Sequence, residues 1–136
     1  MEDLVTLEIA KKLKEKGFPQ SPDYFNYSSY YDWDGLRKIH SLSNASVWFD
    51  PNISRDNLYF APTISQVLKW LRNEKKLHIE FVGNDCGYLY IISDIPIEGG
   101  TYRYYSNYNG PNDGGTWDKY EDCALNAIEY VIDNMI

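Results

Sequence analysis

Two histidines and two cysteines are the side chains best suited to metal or nucleophilic chemistry in this 136-residue chain, and their spacing separates them. A zinc site draws about four nitrogen or sulfur ligands from short-range pairs. His40 and His78 stand singly, and Cys86 and Cys123 fall in different predicted elements. No cofactor or metal is expected. The stretch Asn-Tyr-Asn-Gly-Pro-Asn-Asp-Gly-Gly has the composition of a calcium loop. With Gly114 as its sixth position, however, Pro111 falls third and Tyr120 twelfth, where oxygen ligands are required. No serine or cysteine sits in a nucleophile elbow, and Gly99-Gly100 and Gly114-Gly115 lack the context of a phosphate cradle. Asp32 and Asp34 flank Trp33, a pattern that fits either a turn around a buried ring or a sugar-stacking site. No catalytic residue can be named, and a non-enzymatic protein is expected.

The elements that must carry any site are clearer. The first helix is expected over residues 4–16, with Leu4, Ile9, Ala10 and Leu13 as its apolar stripe and Gly17 as its stop. Residues 19–36 are rich in Pro, Ser and aromatics without helical period; they fit an aromatic strand with a turn, or an irregular ligand-facing loop. Residues 46–49 suggest a short strand.

Residues 61–82 hold the sharpest signal. Ile64, Val67, Leu68 and Leu71 follow the spacing of a helix burying one side, and Thr63 with Gln66 matches a capping box. That helix is expected over 63–76, its Lys75-Lys76 end suited to the negative pole of the dipole. Strands are expected at 78–82, 88–95 and 101–105, and a last helix at 118–135 capped by Asp118. The fold class is therefore α+β: an antiparallel sheet with helices on one face, an αβββα core over 61–136. An N-terminal helix and aromatic segment, 1–60, completes a single domain.

This order resembles the double-stranded-RNA-binding fold, which implies RNA contacts from lysines opening the last helix. Here that position reads Trp117-Asp118-Lys119-Tyr120-Glu121-Asp122, which is net acidic. From residue 77 to 136 there are two basic residues against ten acids, a net of −8. Those acids would repel a phosphate backbone. Only Lys69, Arg72, Lys75 and Lys76 on the middle helix offer a basic patch for nucleic acid. The whole chain carries −7, which argues against general nucleic-acid binding.

The segments LVTLEIAKKLKEKGF, YFAPTISQVLKWLRNEKKLHIEF and YEDCALNAIEYVIDNMI together resemble a group of short proteins encoded in phage, prophage and mobile-element regions of gut anaerobic bacteria. That resemblance implies a bacterial accessory role and assigns no activity.

Charges interrupt every apolar run, so neither a signal peptide nor a membrane span is expected, and the cytoplasm is the expected location. Buried free thiols are expected there. With 13 tyrosines and 4 tryptophans the chain is aromatic-rich, and tyrosine suits contact surfaces. If Ile79, Phe81, Leu89 and Ile91 face the helices, alternation sends Glu80, Tyr88, Tyr90 and Ile92 outward. Tyr88, Tyr90, Tyr102, Tyr104 and Trp70 then form the candidate interaction surface. Either the N-terminal segment covers it, or it meets a protein partner or a second copy of the chain.

Overall fold

The computed structural model describes residues 3–20, 29–32, 35–38, 58–94, 104–107, 110–112 and 114–136. The fold is α+β with antiparallel sheets. Where the sequence suggests one sheet, there are two three-stranded sheets among the described residues. The backbone groups the chain into two compact units: residues 4–63, and residues 64–136 joined by 1–3.

In the first unit, helix α1 spans Leu7–Glu15. It starts later than expected because residues 4–6 are extended: Leu4 bridges Thr63, and the Val5 N–H donates to the Pro62 carbonyl at 3.0 Å. Thr6 is the cap, its hydroxyl accepting from the Ile9 N–H at 3.3 Å. Ile9, Ala10 and Leu13 are buried as the spacing predicts. Gly17, at φ +90°, reverses the chain so that Phe18 folds back and donates its N–H to Leu13. The aromatic stretch contributes two strands among the described residues. Strand β1 (Ser29–Asp32) pairs with β2 (Gly35–Lys38) and with β3 (Tyr59–Ala61), in the order β2-β1-β3. The edge of β3 is closed by Gln20, whose Oε1 accepts from the Phe60 N–H at 2.8 Å. Tyr31 donates its hydroxyl to the Val5 carbonyl at 2.8 Å, and burial raises its pKa. The strand suggested at 46–49 lies outside the described residues, as do Trp33, Asp34 and His40.

The second unit holds the αβββα order: α2 (Ile64–Glu74), β4 (Leu77–Asn84), β5 (Gly87–Asp94), β6 (Tyr104–Asn107) and α3 (Tyr120–Asn134). Helix α2 buries Ile64, Val67, Leu68, Trp70 and Leu71. It stops two residues before the expected end because Lys76 adopts a left-handed backbone, φ +56°, that turns the chain into β4. Strands β4, β5 and β6 form a sheet in that order. The third strand lies later than 101–105, and residues 101–103 are outside the described set. Helix α3 begins two residues later than expected, with Lys119 rather than Asp118 at its N-cap. It buries Cys123, Ala124, Ala127, Ile128, Val131 and Ile132, while Tyr120 and Met135 are half-buried. Both helices pack against the sheet and each other.

Candidate interaction surface

The register of β4 and β5 decides which residues face outward. Ile79 pairs with Ile92, Phe81 with Tyr90 and Gly83 with Tyr88, while Glu80 pairs with Ile91 and Val82 with Leu89. Directly opposed residues share a face. Tyr90 and Ile92 therefore join Ile79 and Phe81 on the helix side, and both are fully buried. This reverses the expected assignment for β5. A shift of one residue in strand phase exchanges every side chain between faces, and an apolar or aromatic residue at nearly every position from 88 to 92 leaves the phase ambiguous in sequence.

The inward tyrosines have definite partners. Tyr90 stacks on Trp117 with centroids 5.6 Å apart and donates its hydroxyl to Asn126 Oδ1 at 3.0 Å. Tyr120 meets Phe81 edge-on at 4.8 Å and Tyr88 at 6.1 Å. Tyr90 and Tyr88 are thus packed aromatic residues rather than an outer tyrosine face. Trp70 is buried too, with Lys75 Nζ 5.3 Å from its ring. Tyr102 lies outside the described residues, and Tyr104 is defined only by its backbone pairing with Ser93.

What the sheet does present outward is different. His78, Glu80 and Val82 are exposed on β4, Leu89 and Ile91 are half-buried on β5, and Ser93 at the far end is buried. Val82 keeps 38% of its surface open. Sequence alternation finds this strip only once the register of β5 is known.

The turn joining β4 and β5 is the other exposed feature. Asn84 Oδ1 accepts from the Cys86 and Gly87 N–H groups at 2.8 and 3.1 Å. The loop before α3 clasps this turn. The Cys86 carbonyl accepts from Thr116 Oγ1 at 2.7 Å and from Asn112 Nδ2 at 2.8 Å, and Asn112 Nδ2 also donates to Asp118. Tyr88 and Trp117 exchange backbone hydrogen bonds of 2.8 and 3.0 Å. An open depression of about 480 Å³ lies here, lined by Cys86, Asp85, Asn84, Tyr88 and Asp118 among others. Among the described residues its lining combines a thiol with carboxylates and no imidazole. Among the described residues, no three His, Cys, Asp or Glu side chains gather as a metal site would require.

The cysteines are both free. Cys123 is buried as expected, but Cys86 is exposed at the turn. Burial pushes the Cys123 thiol from 9.0 up to about 12. The unfolded chain then releases this proton near pH 9 while the folded chain holds it. The contribution is complete below pH 9 and is lost as pH rises toward about 12. We expect one thiol, Cys86, to react with a thiol reagent in the native protein and the second only after unfolding. Between pH 9 and 12 the stability of Cys123→Ala should fall less steeply than wild type, measured by urea titration. Equal slopes, or two thiols reactive in the native state, would refute the buried placement.

Lys69 and Arg72 on helix α2, and Lys75 and Lys76 just after it, are all exposed. Lys76 Nζ donates back to the Asn73 carbonyl at 2.9 Å. No described helix is long and apolar enough to cross a membrane. No protein-family model matches this chain, and neither a curated protein nor a solved structure is detectably similar to it.

Proposed function

We infer that this chain is a small non-enzymatic accessory protein of a phage or other mobile element, working in the bacterial cytoplasm through protein–protein contact. The mobile-element part rests on the sequence resemblance. The contact part is carried by one observation. The sheet face turned away from α2 and α3 exposes Val82 beside the half-buried Leu89 and Ile91. An apolar strip rimmed by His78 and Glu80 is the arrangement of an interface with a greasy centre and polar edge.

The test is an affinity capture from a lysate of the source organism, with and without nuclease, using wild type and a Val82→Lys/Leu89→Lys/Ile91→Lys variant. A stoichiometric protein should survive nuclease with wild type and disappear with the variant. Capture that the triple variant retains would refute this face as the contact. Capture that nuclease removes would favour a second reading, nucleic-acid binding through Lys69, Arg72, Lys75 and Lys76, whose common exposure on and just after α2 supports it. That binding should then weaken with salt and with Lys75→Glu/Lys76→Glu.

A further inference from the structure

We propose that β4 is a dimerisation strand, pairing antiparallel with β4 of a second copy to make a continuous six-stranded sheet. This goes beyond the contact face above, because it concerns the edge of the sheet and not its surface. β4 is an edge strand, with β5 its only neighbour among the described residues. Exposed edges are ordinarily blunted by shortness, proline, a bulge or lysine. β4 has none of these: it runs eight residues in unbroken register with β5, from Leu77 opposite Asp94 to Asn84 opposite Gly87. The contrast with β3 is direct. That edge strand is three residues long and has an N–H taken by Gln20, whereas no described side chain hydrogen-bonds the free edge of β4.

A hydrogen-bond donor opposite an acceptor selects a second copy as the occupant and favours one register. A two-fold axis normal to the sheet opposes residues of the same face, so the axis passes through a residue of β4. Centred on Glu80, the pairing would set two carboxylates against each other. Centred on Ile79, it places His78 of each copy opposite Glu80 of the other, twice. Both side chains are exposed on the outer face. The strand is therefore complementary to itself in that register.

Sedimentation equilibrium of the full chain tests this. Wild type should dimerise, and Glu80→Lys or His78→Glu alone should each weaken association about tenfold, since each spoils both symmetry-related pairs. The double variant His78→Glu/Glu80→Lys sets a carboxylate opposite an ammonium in both pairs and should dimerise at least as well as wild type. An equimolar mixture of the two single variants should form a heterodimer, because each supplies what the other lacks. Unchanged urea midpoints at a concentration where wild type and variants are all monomeric will show that the substitutions act on association and not on folding. A wild type monomeric at several hundred micromolar, or a dimer indifferent to the single substitutions, would overturn the proposal while leaving the capture experiment's outcome untouched.

Discussion

Gly87→Ala is expected to cost about 3 kcal/mol or more, the combined size of a positive-φ penalty and an overpacking clash. Gly87 sits at φ +137°, a conformation closed to side-chain-bearing residues. A Cβ built there lands on the Trp117 carbonyl oxygen and comes within 3.1 Å of Thr116 Oγ1. Neither obstacle is a mobile side-chain tip. The Trp117 carbonyl is held by the Tyr88 N–H, and Thr116 Oγ1 is held by the Cys86 carbonyl. The substitution would therefore pry the loop before α3 away from the β4–β5 turn. Gly114→Ala is the matched control. It also has positive φ, +79°, but its Cβ meets nothing within 4 Å, so about 1 kcal/mol of backbone strain is all that it should lose. Urea unfolding of both variants gives the comparison. Equal losses would mean that the clasp contributes nothing and that strain alone sets the effect.

That clasp explains where the sequence was legible and where it was not. Helix α2 could be read because Ile64, Val67, Leu68 and Leu71 repeat at helical spacing, and the burial follows that repeat. On α3 the buried Ala124, Ala127, Ile128 and Val131 repeat at the same spacing. Tertiary bonds that no local pattern encodes meet both helix starts, and the start of α3 lies later than expected. The Ile64 N–H is met by the Asp3 carbonyl, from the far end of the chain. Asp118, suited by type to cap α3, instead takes a hydrogen bond from Asn112. The loop containing Asn112 looked like a failed calcium site. Its asparagine and threonine in fact satisfy a turn carbonyl thirty or fewer residues upstream, a partnership invisible before β4 and β5 are paired. The hairpin between β1 and β2 was ambiguous because alternation is short there, four residues per strand.

The strand phase of β5 is the reading with most at stake, since it decides which surface a partner would meet. Ile92→Ala is expected to destabilise by about 2–5 kcal/mol, the range for truncating a fully buried aliphatic side chain. Ile92 is 0% exposed, opposite Ile79 on the face covered by α2 and α3. Its neighbour Ile91 is half-buried opposite the exposed Glu80, so Ile91→Ala should cost about 1 kcal/mol or less. The two residues are adjacent, identical in type and central in one strand, so propensity and unfolded-state effects largely cancel between them. What differs is the face. If alternation placed Ile91 toward the helices, the order of the two losses would invert, and Tyr90 would return to the surface with Tyr88. Urea midpoints of the two variants settle the order in one experiment. The same order fixes the role of the aromatic residues. With Ile92 inside, Tyr90 is held by Trp117 and Asn126 and belongs to the core rather than to a contact surface. The surface available to a partner is then Val82, Leu89 and Ile91, with His78 and Glu80 along the edge.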